Sequence, residues 1–400
     1  MDSVTQFALG AAVSTAVLGP RIGAPRAMLL GGVLGTLPDL DSLLPAADPV
    51  AAFTTHRGAT HSLLVQAAVT PLFAEPLVRL FQGLKDKRVL TYAAVYLVFA
   101  THALIDAMTV YGTQLFWPLW PEPLGVGSIF IIDPLYTLPL LVVVIWALFV
   151  KAWTARFQAW VRGALAVTTL YMALTVPVQT WIEGRAERLL ADQGVTAERL
   201  MAIPAPFTIL YWKAIAVDGE RYLNIYVPVF GGDDGITTYA HPRHTALGAC
   251  LADDPSYEKL ARFTDGFFRF EMQGNKLVMA DLRMGLTPNY VFRFALARET
   301  ADGLKPLDRP TRERRPRGTE GDWDWIFKGV TARAVTRPAE ASAQVDPAAI
   351  GPGQVRLAQG PCKSGQTGWA DERKTDPSLA GYPRLRCRPV AGARSRFLLP

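Results

Sequence analysis

Asp39 and Asp41 in Pro38-Asp-Leu-Asp, His56 and His61 in His-Arg-Gly-Ala-Thr-His-Ser, and His102 with Asp106 in His-Ala-Leu-Ile-Asp place six metal-ligand side chains in one 68-residue window. Three of the chain's five histidines are among them. Imidazole nitrogen and carboxylate oxygen together suit zinc or manganese. His102 and Asp106 are i,i+4, so a helix sets them on one face about one turn apart, where they can share a divalent ion. Pro38 ends the preceding helix, which lets Asp39 and Asp41 project from a turn. Thr60 is placed to cap a helix beginning at His61. Six ligands of mixed type fit one or two ions of a hydrolytic site better than a structural zinc closed by Cys and His. Two ions roughly 3.5–4 Å apart would activate water and neutralise the charge of a phosphoryl group. Arg57 is not a ligand type, but its planar fork suits bidentate contact with phosphate. The candidate ligands are therefore Asp39, Asp41, His56, His61, His102 and Asp106, and the candidate catalytic residues are Arg57 and His56.

Each piece also has a structural reading. A lone His-x-x-x-Asp in a helix is commonly a buried hydrogen bond, and Pro-Asp-Leu-Asp a capped turn. The surroundings decide between the readings, because these residues lie in or beside apolar segments, and ionisable groups at membrane depth persist mainly where they bind, relay or catalyse. Asp133-Pro134 reads as a helix start with a weaker claim to the site. His241 and His244 lie in a polar loop and read as surface residues. Cys250, Cys362 and Cys387 lack metal spacing, although Cys362 and Cys387 could pair in an oxidising compartment.

Positioning these residues falls to a membrane bundle. Residues 1–182 hold 10 Lys/Arg and 9 Asp/Glu, whereas residues 183–400 hold the remaining 31 and 26. A net charge of +6 spread over 400 residues is too dilute to argue for nucleic acid as a main partner. Only Arg312–Arg317 forms a basic run, which reads as a solvated linker. Gly163–Ile182, Ser128–Val150 and Val89–Val110 are each long enough to cross the hydrocarbon. His61–Val78 is interrupted by Pro71, Glu75 and Pro76. Ser3–Gly19 and Ala27–Leu37 are shorter, with Gly31-x-x-x-Gly35 offering a small-residue packing surface, and form either two tilted spans or two half-spans. The first residues lack a positive n-region and are expected to remain in the mature protein. Lys85, Lys87, Arg88, Lys151, Arg156 and Arg162 fill two loops that should be cytoplasmic, so all the candidate ligands would emerge on the opposite face. Tyr111, Phe116, Trp117 and Trp120 read as an interfacial aromatic belt.

The start Met-Asp-Ser-Val-Thr-Gln, Pro38-Asp-Leu-Asp, His56-Arg-Gly-x-Thr-His-Ser, Thr101-His-x-Leu-x-Asp, Tyr111-Gly-Thr-Gln-Leu-x-Trp-Pro and Ile131-Ile-Asp-Pro-Leu-Tyr together resemble the bacterial membrane-bound metal-dependent hydrolases, the family of the LexA-regulated inner-membrane hydrolase. The resemblance covers about residues 1–180 strongly and extends weakly to Trp323-Asp-Trp. It implies metal-dependent hydrolysis and, more remotely, similarity to the zinc phospholipase C group. The family pattern often has His where this chain has Gln6, so Gln6 is expected to hydrogen-bond a ligand or water.

Beyond the break near Glu183, Glu183–Met201 reads as an amphipathic helix. Two hairpins follow, 211–217 with 221–227 and 267–272 with 276–282, and Tyr290–Ala297 continues the series. From about Thr336, Pro, Gly, Ala and Arg dominate without periodicity, which reads as a loosely ordered tail. The expected architecture is an α-helical membrane bundle of about four to six membrane segments (1–182), a small β-rich extramembrane domain (183–335) and a flexible tail (336–400). The expected function is an inner-membrane hydrolase with its site on the periplasmic or outer side. Membrane lipids are expected partners and a lipid or phosphoester the substrate; a non-catalytic metal-binding protein or transporter is the alternative.

Overall fold

The computed structural model describes residues 1–347 and 350–351. Seven helices make the N-terminal half: α1 (Ser3–Ile22), α2 (Ala24–Thr36), α3 (Pro49–Thr55), α4 (Leu63–Leu80), α5 (Arg88–Ala107), α6 (Pro134–Phe149) and α7 (Ala155–Asp192). Asp2 starts α1 by accepting from the backbone N–H groups of Val4 and Thr5. α1 and α2 then pack backbone to backbone. A Cβ on Gly10 would lie 2.4 Å from the Gly31 carbonyl oxygen, and one on Gly31 would lie 2.2 Å from that of Gly10. Only glycine permits this approach, as the small-residue spacing predicts.

By length and composition, α4, α5 and α7 can each cross a membrane, and α6 is a shorter apolar helix of 16 residues. Among the described residues the bundle thus holds three candidate spans, within an expectation of four to six membrane segments. The predicted span at Ser128–Val150 becomes helical only at Pro134, because Asp133 caps that helix by accepting from the Tyr136 N–H at 3.0 Å. Asp133 also accepts from the Tyr171 hydroxyl at 2.8 Å, so its carboxylate ties α6 to α7. The helix predicted over Glu183–Met201 is the C-terminal end of α7, which runs unbroken to Asp192, and Arg199 already begins a strand.

The C-terminal half is built on two antiparallel sheets. The first takes the order β1-β2-β3-β4-β11, from Arg199–Pro204, Tyr211–Asp218, Arg221–Pro228, Thr237–Pro242 and Gln344–Val345. The second takes the order β10-β9-β6-β5, from Gly303–Arg312, Arg293–Thr300, Lys276–Asp281 and Phe268–Gln273. A small ladder pairs β7 (Gly285–Leu286) with β8 (Asn289–Tyr290), and α8 (Pro255–Phe263) and α9 (Asp322–Val330) pack alongside. Both predicted hairpins are present.

The predicted flexible tail begins later than Thr336. Arg337 and Glu340 are buried, and β11 pairs with β4. Arg337 donates to Asp322 at 2.8 Å, while Glu340 accepts from Asn224, Tyr226, His241 and Arg337 at 2.6–2.9 Å. His241 is therefore an interior residue, not the surface residue its polar loop suggests. Burial pushes the Glu340 carboxyl up, but the His241 hydrogen bond and the Arg337 charge outweigh it and hold the group at about 2. Lys213 is enclosed nearby and donates to the carbonyls of Leu282 and Gly285 at 3.0 and 3.1 Å. Burial pushes its amine down to about 7. The basic run is not a solvated linker throughout, since Arg312 ends β10 with its guanidinium 4.8 Å from the Phe292 ring centre, and Glu313 pairs with Lys276 at 2.7 Å. The expected pairing of Cys362 with Cys387 lies outside the described residues.

An aromatic cluster joins the two halves. Phe53 of α3 lies 5.3 Å from Tyr111, 4.6 Å from Phe263, 4.4 Å from Phe292 and 5.2 Å from Phe294, between ring centres. Tyr111 is buried there and does not belong to an exposed belt. Phe116, Trp117 and Trp120 do remain exposed. The loop carrying them folds back through a Thr113–Leu124 bridge and receives the Leu63 N–H at the Leu115 carbonyl, 2.9 Å. It thereby steadies the segment that carries His56 and His61.

Candidate metal centre

Asp39, His61, His102 and Asp106 converge so that one ligand atom from each lies within 4.8 Å of all the others. Three separate elements deliver them. The 3-10 turn Pro38–Leu43 that follows α2 presents Asp39, the turn Ala59–His61 presents His61, and the last turn of α5 presents His102 and Asp106. His61 Nε2 stands 3.1 Å from His102 Nε2, 3.4 Å from Asp39 Oδ1 and 3.3 Å from Asp106 Oδ2. His102 Nε2 stands 3.6 Å from Asp39 Oδ1 and 3.7 Å from Asp106 Oδ2. A tetrahedral ion with bonds near 2.1 Å requires ligand-to-ligand edges of about 3.4 Å, and these five edges bracket that length.

The tautomers make the same point. His102 Nδ1 lies 2.6 Å from the Gly35 carbonyl oxygen, which only accepts, so Nδ1 carries a proton and in the neutral ring Nε2 presents a lone pair. Thr60 donates its single hydroxyl proton to Asp41 Oδ2 at 2.8 Å, so the same hydroxyl must accept from His61 Nδ1 at 2.9 Å. In the neutral ring, His61 Nε2 is therefore also the lone-pair nitrogen. Two imidazole lone pairs and two carboxylate oxygens then face one another in a buried site, and Asp106 Oδ2 has no hydrogen-bond donor. Such a set repels itself unless a cation lies between the atoms. The donor chemistry fits a divalent ion.

Asp41 and His56 are not within this four-residue group. Asp41 Oδ1 lies 2.7 Å from His56 Nδ1, and its Oδ2 accepts from the Arg57 N–H and the Thr60 hydroxyl. The two residues form a hydrogen-bonded pair beside the candidate ligands. Thr60 serves this relay and is not the helix cap, a role that Ser62 takes for α4. Gln6 donates to the His102 carbonyl at 3.4 Å, and its buried side-chain oxygen has no partner.

Arg57 holds the other side of Asp106. Its Nη2 lies 3.2 Å from Asp106 Oδ1, its Nη1 donates to the Thr109 hydroxyl at 2.9 Å, and its guanidinium carbon sits 4.9 Å from the Tyr111 ring centre. The Met1 nitrogen also donates to Asp106 Oδ1. The backbone at Arg57 takes φ of 62°, a left-handed conformation that a long side chain rarely adopts, and that marks a position held by its surroundings. Arg57 Nε is buried without a hydrogen-bond partner.

Asp39, His56 and Arg57 line a cavity of about 370 Å³ together with Leu40 and Leu43. Leu40 and Leu43 are exposed, as is the adjoining Leu44. Sequence reasoning singled out all four converging residues, but it missed the supporting groups Thr60, Thr109 and the Gly35 carbonyl. The one available signal was the hydroxyl of Thr60 next to a candidate histidine. Comparison with curated proteins and with solved structures finds no match. Residues 1–182 match the family profile described as YdjM inner membrane protein, which together with the apolar helices supports an inner-membrane location for this half of the chain.

Proposed function

We propose that the protein is an integral membrane metal-dependent hydrolase acting on a phosphoester, with a lipid headgroup as the substrate class its site suits best. The observation that carries this reading is the convergence of two imidazole Nε2 atoms and two carboxylate oxygens, three of the four residues buried and the fourth, Asp39, lining a cavity. Asp39, His61, His102 and Asp106 would hold the ion, with zinc favoured by the tetrahedral edges. When bound, the ion supplies Lewis acidity, lowering the pKa of water and offsetting phosphoryl charge. His56 would donate an Nδ1–H hydrogen bond to Asp41, which leaves Nε2 free to take a proton from water at the cavity, the geometry of a base with an orienting carboxylate. Arg57 orients Asp106 and retains an unpartnered buried N–H for an anionic oxygen. The exposed Leu40 and Leu43 that line the cavity would offer an apolar path for acyl chains.

Sidedness follows the positive residues. Lys87 and Arg88 lie at the start of α5 and His102 and Asp106 near its end, about 20–27 Å apart at 1.5 Å per residue. This supports a site and β-rich domain on the periplasmic or outer face. Reporter fusions after Lys87 and Lys151 should read as cytoplasmic, and those after Leu124 and Gly219 as external; Leu124 and Gly219 on opposite faces would overturn the arrangement.

The decisive experiment is turnover. Protein loaded with zinc or manganese should hydrolyse at least one member of a panel of phospholipids in mixed micelles and chromogenic phosphodiesters, and His56→Ala should abolish that activity with metal content retained. A fully metallated protein that hydrolyses none of them would replace the enzyme with the non-catalytic reading, a metal-binding membrane protein or transporter.

A further inference from the structure

Three large aromatic side chains of the β-rich domain face outward: Phe230 is 60% exposed, Trp323 60% and Phe327 68%. Two of them share a face of α9. Trp325, Ile326 and Gly329 turn that helix's other face onto the first sheet, so closely that a Cβ on Gly329 would lie 2.5 Å from the Tyr211 ring. Trp323 and Phe327 are i,i+4 on the outward face. The charged residues beside them, Asp324 and Lys328, pair with each other at 2.6 Å and leave that face without net charge.

The position of this face relative to the membrane half is fixed at two points. Trp323 stacks on Phe207 at 5.3 Å, and Phe207 lies 5.5 Å from Phe130, between ring centres. Phe130 immediately precedes exposed Ile131 and Ile132 and the cap of the apolar helix α6. Phe207 has φ of 66°, so its backbone is held out of its preferred region while the ring bridges the two halves. At the second point, Arg185 of α7 donates to the carbonyls of Pro228 at 2.6 Å and Gly232 at 3.0 Å and pairs with Asp233 at 2.8 Å. These contacts clamp the loop that carries Phe230. Arg185 itself lies over Trp181, 5.1 Å from its ring centre, and follows by three residues the end of the uncharged stretch Gly163–Ile182, about one turn of helix. The clamped loop also abuts the turn after α9, since a Cβ on Gly231 would lie 2.7 Å from Ala332.

We propose that α9 and the Phe230 loop form an interfacial anchor, with Trp323, Phe327 and Phe230 seated in the headgroup and upper acyl region of the bilayer that α7 leaves. An amphipathic helix with aromatic residues on one face and a neutralised ion pair beside them suits that zone, where the ring is apolar and the indole N–H stays wet. The occupant is the lipid surface because ring contacts run from exposed Trp323 through half-buried Phe207 and Phe130 to the segment that begins α6, and the Phe230 loop is held by Arg185, three residues past the apolar part of α7. The domain is thereby fixed at two places to the membrane plane, which holds its second sheet against α3 and the mouth of the metal centre.

The test uses the full chain in proteoliposomes of phosphatidylethanolamine and phosphatidylglycerol. With Phe327 or Phe230 replaced by p-benzoylphenylalanine, irradiation should yield protein carrying the mass of one phospholipid. In parallel, lipids brominated near the headgroup end of the acyl chain should quench more fluorescence in the wild type than in Trp323→Phe, a conservative change that keeps the stack on Phe207. Adducts between two copies of the chain would assign the face to self-association and overturn the anchor. So would a Trp323 contribution quenched by iodide in water and untouched by brominated lipid.

Discussion

His61 Nε2 and His102 Nε2 lie 3.1 Å apart, and the hydrogen bonds to their opposite ring nitrogens make both atoms the lone-pair nitrogens of neutral rings. If a divalent ion resolves this contact, purified protein should carry one ion per chain by elemental analysis. His102→Ala and Asp106→Asn should lose it. Chelation should lower stability by on the order of 3 kcal/mol where free metal had exceeded its dissociation constant a hundredfold, read as a fall in melting temperature that added zinc reverses. An active wild type free of metal would end the assignment.

Thr60 sets the tautomer of His61 through the relay to Asp41. Thr60→Val keeps the shape but removes both hydrogen bonds, and metal affinity should fall about 10–100-fold, the usual cost of a lost outer-shell partner. Thr60→Ser should restore it. Metal competition against a chromogenic chelator measures both variants, and an unchanged affinity for the valine form would remove Thr60 from the centre.

Arg57→Lys keeps the charge but loses the fork that spans Asp106 and Thr109. Turnover should weaken by about 1–3 kcal/mol in transition-state stabilisation, the range for one charge-assisted bond, with metal content unchanged. Equal activity of Arg57→Lys and wild type on every hydrolysed substrate would exclude a role in the reaction.

Lys213 predicts a pH slope in the stability of the β-rich domain. Its folded pKa is pushed down to about 7 from the ordinary 10.5. Between those values the unfolded chain holds a proton that the folded chain does not. Stability should therefore rise with pH from about 7 toward 9, with a slope approaching 1.4 kcal/mol per pH unit from this group. Below pH 7 the burial penalty is present in full. Lys213→Met should flatten the slope in melting curves taken across that range, and a variant with the wild-type slope would show that another group carries it.

His102 and Asp106 were legible in the sequence because their relation is local, one helical turn apart. Asp39 and His61 were legible as ligand types beside apolar segments. What spacing could not resolve was the division of labour between neighbours two and five residues away. Asp41 turns to His56 and Thr60 while Asp39 turns inward, a choice made by how two 3-10 turns meet. Tyr111 reads as an interfacial aromatic because it follows a span, yet its partner Phe263 arrives 152 positions later in the chain, beyond any local pattern. His241 misleads for the same reason, since Glu340 buries it from a segment whose composition suggests disorder. The two hairpins were readable because turn residues and alternation are local signals.

The aromatic cluster around Phe53 has a consequence for how this chain can be divided. The family profile stops at residue 182, but the rings that cover Phe53 and Tyr111 come from Phe263, Phe292 and Phe294. Phe53 sits three residues before His56. A protein cut at the family boundary would bare an apolar wall next to the histidine pair, so the two halves are not interchangeable modules. Any relative that ends near residue 182 must close that wall with different side chains or with another copy of itself.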